Sequence, residues 1–142
     1  MEPLKTAPLL TPLRRIANPK GDVLHGMKRS DQGFAGFGEA YFSLIHPGQT
    51  KGWKKHLRMQ LNLVVPHGDV RIIVVDERKP STWTYVIGES NHARLTVPPG
   101  LWVAFCGMGV MTSVLLNIAN LEHEDSEAVT CGLSEFPFLQ TP

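Results

Sequence analysis

Cysteine is nearly missing from this chain. Its 142 residues hold two, Cys106 and Cys131, set in no metal or redox spacing. So few exclude a disulfide framework and point to a reducing compartment. Excess charge is missing too, with a formal net charge of +1. That removes the electrostatic footprint of a nucleic-acid or membrane-surface protein. No apolar run reaches the roughly 20 residues of a spanning helix. The opening Met1-Glu2-Pro3-Leu4-Lys5 lacks a signal peptide's apolar region. A soluble cytoplasmic protein with no nucleic-acid or membrane partner is expected. There is no glycine-rich phosphate loop, no nucleophile elbow and no interleaving of basic with aromatic residues. No segment has a helical period. What is present is an apolar fraction of 42%, which at this length suits one domain with a real core.

Glycine and proline punctuate the chain. Residues 1–20 carry four of the eleven prolines, yet Leu4, Leu9, Leu10, Leu13 and Ile16 can dock, so this stretch reads as an arm. Residues 21–130 read as the domain and 131–142 as a tail ending in Pro137 and Pro142. Within the domain, strands are expected over Asp22–Lys28, Gly38–Ile45, Lys51 onward, Val70–Val75, Thr82–Ile87, Arg94–Val97, Leu101–Cys106 and Ser113–Asn120. In the last, Ser113 and Asn117 share one face while Val114, Leu116 and Ile118 share the other. Pro66-His67-Gly68-Asp69 reads as a hairpin turn, and Glu122–Glu127 as a charged loop. Short strands between such turns mean an all-β sandwich or barrel, and eight or nine of them fit a jelly roll.

Lys51–Asp76 carries the most information. Lys54, His56, Arg58, Gln60 and Asn62 fall on one side of an extended chain. Trp53, Leu57, Met59, Leu61 and Leu63 fall on the other, with Lys55 the exception. That polar face either meets water, as antiparallel strands usually do, or lines the interior of a small barrel.

Four runs resemble one family. Asp31-Gln32-Gly33-Phe34 followed by Phe37-Gly38-Glu39 is the first, and Lys51-Gly52-Trp53-Lys54 the second. The third is Gly68-Asp69-Val70 leading to Asp76-Glu77-Arg78. The fourth runs from Glu89-Ser90-Asn91 through Leu95-Thr96-Val97-Pro98-Pro99-Gly100 to Phe105. In order and spacing they resemble the RmlC-like cupins, the family of dTDP-4-dehydrorhamnose 3,5-epimerase and the dTDP-sugar ketoisomerases. The resemblance implies an all-β cupin jelly-roll β-barrel with an extended N-terminal arm. It implies a nucleotide-sugar ligand and a homodimer. The departures from the pattern fall at the site. Lys54 stands where the epimerases have their basic His, Val103 where a second His falls, and Leu121 or Glu122 near the expected Tyr. Gln32 replaces an Arg, and Lys51 another. Of the ketoisomerases' Gly-x-His-x-His, only His56 survives in Gly52-Trp53-Lys54-Lys55-His56.

The chemistry implied is removal of a proton next to a keto group of a dTDP-4-keto-6-deoxy sugar, in surface polysaccharide biosynthesis. It needs a base that titrates near working pH and a group to hold the enolate. An imidazole such as that of His56 is the natural base. Lys54 can hold the enolate oxygen, or act as base if its charge is suppressed, and Tyr41 can serve as acid. The bland reading makes Lys54, Lys55 and Arg58 a solvated face and His56 a hydrogen-bonded wall residue. Lys51, Arg58, Gln60, Asn62, Arg71, Asn117 and Trp102 are the candidate ligand contacts. Arg58 and Arg71 can grip a diphosphate, or form surface ion pairs with Glu39 or Asp69. Trp102 can stack on a base or sugar, whereas Trp53 suits a core or interface. His56 is alone on its strand, so no metal and no cofactor is expected. The alternative function is a non-catalytic cupin that binds a sugar nucleotide or another small anion.

Overall fold

The computed structural model describes residues 7–136. Leu4, Pro137 and Pro142 lie outside the described residues. In chain order the strands are β1 (Leu9–Pro12), β2 (Arg15–Ile16), β3 (Val23–Leu24), β4 (Glu39–Ile45), β5 (Thr50–His56) and β6 (Leu61–His67). Then follow β7 (Asp69–Asp76), β8 (Ser81–Gly88), β9 (Ala93–Val97), β10 (Trp102–Gly107), β11 (Ser113–Ala119) and β12 (Ala128–Thr130). Two 3-10 turns, Asp125–Glu127 and Leu133–Glu135, are the helical elements among the described residues.

The strands form two five-stranded antiparallel sheets. The first has the order β1-β9-β6-β11-β4 and the second β12-β5-β10-β7-β8, with β2 and β3 as a small separate pair. This is the jelly roll expected from the strand spacing. The core fills the space between the sheets. Leu61, Leu63 and Val65 come from β6, Leu95 and Val97 from β9, and Leu115 from β11. Val70, Ile72 and Val74 of β7 meet them from the second sheet. Each is fully or almost fully buried, and such burial is worth about 1.5–3 kcal/mol per large aliphatic side chain.

Several local expectations change in three dimensions. The stretch Pro66-His67-Gly68-Asp69 does not close a hairpin, because β6 and β7 lie in different sheets. Gly68 has φ +77°, and a Cβ there would collide with Ser113, so this crossing requires glycine. Asp22–Lys28 contributes only the two residues of β3, paired with β2. The polar-faced strand stops at His56; the chain bends at Leu57 and Arg58, and residues 57–60 lie outside any strand before β6. The alternation therefore does not run through to Asn62.

A second apolar cluster covers the outer face of the second sheet. Trp53 is wholly buried there with Ile73, Val75, Trp102 and Ala104, beneath Cys131 and Phe136. Cys131 and Trp53 exchange backbone hydrogen bonds, and Trp53 Nε1 donates to the Leu133 carbonyl. On the first sheet, the loop after β3 is clamped by Arg94. Its wholly buried guanidinium donates to the Gly26 and Gln32 carbonyls and to Asp31 Oδ2. The remaining outer face of that sheet stays apolar and open. Cross-strand pairs Leu44–Val114, Phe42–Leu116 and Ala40–Ile118 line it, with Phe42 66% and Leu44 54% exposed.

Candidate functional site

A cavity of about 230 Å³ lies between the sheets. Strand β4 presents Tyr41 and Ser43 to it, β6 Leu61 and Leu63, and β11 Leu115 and Asn117. From the facing sheet, β5 supplies Lys51, Gly52, Lys54 and His56, and β10 supplies Val103 and Phe105. Alternation explains the selection: Glu39, Tyr41 and Ser43 share one face of β4, while Phe42 and Leu44 point out. On β5 the pairing register with β10 slips between Val103 and Phe105, so Lys51 and Lys54 both face inward although three residues apart. Gly52 is needed here, since a Cβ would sit 2.6 Å from that of Ala104.

His56 is held from behind. Its Nδ1 lies 2.6 Å from Glu127 Oε1, and the two side chains are 7% and 1% exposed. Glu127 Oε2 accepts from the backbone amides of Arg58 and Met59, each at 2.9 Å. Burial pushes the Glu127 carboxyl up. The hydrogen bonds from His56 and the two amides, with the charge of His56, outweigh this and hold it below the ordinary carboxylate range. An ionised Glu127 fixes the proton of a neutral imidazole on Nδ1. That leaves Nε2, on a ring that lines the cavity, as the basic nitrogen.

The opposite wall carries a second polar network. Asn117 Oδ1 accepts from the Asn62 amide, so its NH₂ must turn toward Tyr41, whose hydroxyl oxygen accepts at 3.0 Å. The Tyr41 proton is therefore free to donate into the cavity. Lys51 Nζ bridges the sheets, donating to Ser43 Oγ at 2.7 Å and to the Leu44 carbonyl at 3.2 Å. Lys54 makes no side-chain hydrogen bond or ion pair among the described residues. The floor of Leu61, Leu63, Leu115 and Val103 is apolar.

Five of the ten site residues read from the sequence thus share one cavity: Tyr41, Lys51, Lys54, His56 and Asn117. The others do not line it. Arg58 sits in the bend after β5, 55% exposed, and pairs with Glu124. Gln60 and Asn62 face outward and donate to the Gly33 carbonyl, with Asn62 also accepting from Thr96. Arg71 is on the outer face of the second sheet near Cys106, as odd positions of β7 point away from the core. Trp102 shares that outer face, packed on Phe136 with the Lys55 ammonium 4.9 Å from its ring. Two contributors had no sequence signal. Glu127 reads as one acid in a charged loop, and only the pairing of β12 with β5 brings it to His56. Ser43 is an ordinary strand serine until Lys51 reaches it. Among the described residues, no group of three or more His, Cys, Asp or Glu side chains could hold a metal ion.

The fold is a cupin-type jelly roll, and in three dimensions the chain still resembles the RmlC-like proteins, among them dTDP-4-dehydrorhamnose 3,5-epimerase. No family model matches the chain. The chain is similar to the probable low-salt glycan biosynthesis epimerase Agl13 of Haloferax volcanii, 32% identical over 96 residues. The match covers 62% of this chain and 62% of that relative, so the chain spans less than two thirds of its length. The dTDP sugar isomerase of Desulfovibrio desulfuricans G20 superposes with a TM-score of 0.88 at 28% identity, over 92% of this chain and 88% of that one. The dTDP-4-dehydrorhamnose 3,5-epimerase of Bacillus anthracis str. Ames, solved with TDP and PPi bound, gives 0.76 at 17% identity, over 89% and 79%.

Proposed function

We propose that this protein is a sugar-nucleotide epimerase or isomerase acting on a dTDP-4-keto-6-deoxy sugar in surface polysaccharide biosynthesis. The observation that carries the reading is the buried His56–Glu127 pair at the wall of a cavity that also holds two lysines. The cavity is smaller than the ~300–1,000 Å³ of drug-sized ligand sites, which suits a hexose ring with the nucleotide at the mouth. Lys51, at the bridge between the sheets, contacts the diphosphate. Nε2 of His56 takes the proton from the carbon next to the keto group. Lys54, which has no side-chain partner among the described residues, holds the oxygen as it becomes an enolate. Tyr41 stands on the facing sheet, so its hydroxyl can return a proton to the other face of the sugar, which is what inversion requires. Glu127 orients His56 and stabilises the imidazolium that forms.

A homodimer belongs to the same reading. The uncharged outer face built by Phe42, Leu44, Val114, Leu116 and Ile118 is the kind of surface a second copy covers in a two-fold pair. A cytoplasmic location follows from a substrate that is a nucleotide sugar.

The test is solvent exchange. The protein is incubated with dTDP-4-keto-6-deoxyglucose in D₂O, and the C3 and C5 protons are followed by NMR. Deuterium should enter one of these positions, and His56→Ala should slow it by about 10²–10⁴-fold. The presence of Lys54 where the epimerases have His favours one second reading, a binding protein without turnover. Perturbed sugar resonances with no exchange would select it, and no perturbation at all would remove the dTDP-sugar assignment.

A further inference from the structure

A second cavity, of about 240 Å³, opens on the outer side of the first sheet. It shares no residue with the cavity between the sheets. Three segments meet at it. Arg14 follows β1, and His25 and Lys28 follow β3. Arg94 is the outward residue of β9 between the core residues Ala93 and Leu95. Backbone hydrogen bonds hold the segments together: the Leu13 amide donates to the His92 carbonyl at 3.0 Å, and the His25 amide to the Arg14 carbonyl at 2.9 Å.

The charges in this cavity do not balance. Its walls carry three cations, Arg14, Lys28 and Arg94, against the single acid Asp31, a net charge of +2 with histidine neutral. That acid is already shared. Its Oδ2 accepts from Arg94 at 3.3 Å and from the Lys28 amide at 2.8 Å, and Lys28 Nζ stands 4.0 Å from Oδ1. Arg14 and His25 make no side-chain hydrogen bond or ion pair among the described residues. Arg94 is wholly buried, and its Nε has no partner. A buried cation that is only partly neutralised is costly, and further cations beside it raise the cost. An anion from outside the chain would offset it. We propose that this cavity binds a phosphate-type dianion, with Arg14 and Lys28 as its donors and the buried charge of Arg94 beneath it. The Arg14 guanidinium can fork onto two phosphoryl oxygens, and Lys28 supplies a compact charge. The shared chemistry is the phosphoryl group, of free phosphate or of a phosphomonoester. Bound there, the anion ties the N-terminal arm to the loop after β3 and to β9. The inference does not rest on the sugar-nucleotide reading of the first cavity.

The experiment is an NMR titration of the isotope-labelled full chain with inorganic phosphate and with glucose 1-phosphate, at constant ionic strength. Wild type is compared with the double variant Arg14→Ala/Lys28→Ala and with Lys51→Ala. Arg14 and Lys28 are exposed, so the double variant should fold with an unchanged circular dichroism spectrum. Saturable shifts should appear at the amides of Arg14, Gly26 and Lys28. The double variant should weaken both probes by about tenfold or more, the weight of hydrogen bonds to charged groups. Lys51→Ala should leave the affinity read at these amides within about twofold. Tighter binding of glucose 1-phosphate would support an ester as the occupant, and equal or tighter binding of phosphate the free anion. Shifts that never saturate, or that the double variant leaves unchanged, would overturn the inference and mark a solvated basic face. Shifts confined to the surroundings of Lys51 would overturn it too, since the anion would then occupy the first cavity.

Discussion

Replacing Glu127 separates its structural work from its chemical work. In Glu127→Ala, the buried amides of Arg58 and Met59 and Nδ1 of His56 all lose their acceptor. Removing one partner of a buried charged pair costs about 3–5 kcal/mol, a large part of the ~5–15 kcal/mol that holds a domain together. Glu127→Gln keeps one oxygen for the amides and turns its NH₂ toward His56, so the loss should fall to about 1–2 kcal/mol. The chemistry should suffer in both. With a donor facing Nδ1, the neutral imidazole must carry its proton on Nε2, which can then no longer accept one from substrate. Exchange into the sugar should drop by about 10²–10⁴-fold in a protein that remains folded. The pH dependence follows from the lowered folded-state pKa. The stabilisation by Glu127 is complete above its unfolded value, ordinarily 4.5, and is lost as pH falls through the lower folded value. Urea midpoints of wild type and Glu127→Gln should therefore differ at pH 7 and converge well below pH 4.5. A constant difference across that range, or normal exchange in folded Glu127→Gln, would refute the argument.

Other substitutions probe the frame around the site. Gly38→Ala would drive a Cβ into the Leu121 backbone, so it should lower stability by at least ~1–3 kcal/mol, read as an earlier denaturant midpoint. Phe42→Glu places a charge on the open apolar face. It should convert a dimer to monomer in sedimentation velocity while the circular dichroism spectrum is unchanged, and a wild-type protein already monomeric would remove the proposed interface.

How much of this was legible in the chain depends on the range of the interaction concerned. Period-two alternation located most strands to within a residue or two, because facing in or out is a local property of extended backbone. It also put Lys54 and His56 together on one face of β5 and Tyr41 on one face of β4, while leaving open whether those faces meet water or a cavity. The motif order added the cupin fold. The same reasoning failed at Leu57–Gln60, where alternation of residue types continued through a bend. Arg58, Gln60 and Asn62 were assigned to one wall on a pattern that the backbone does not follow. Arg71 and Trp102 show a related limit: both are on strands of the second sheet, but on its outer face, and residue type alone does not say which side of a sheet is the interior. For β11 the apolar Val114, Leu116 and Ile118 prove to be the outward set, and the inward set includes Ser113 and Asn117.

By itself, then, the sequence determined most of the strands and the two-faced character of β5, since each arises from neighbours in the chain. Only the tertiary structure decided the site. Glu127 meets His56 across 71 positions, and Lys51 is tied to Ser43 by the approach of two sheets. Contacts of that kind depend on which strands become neighbours when the core closes, and no local pattern of residues records it.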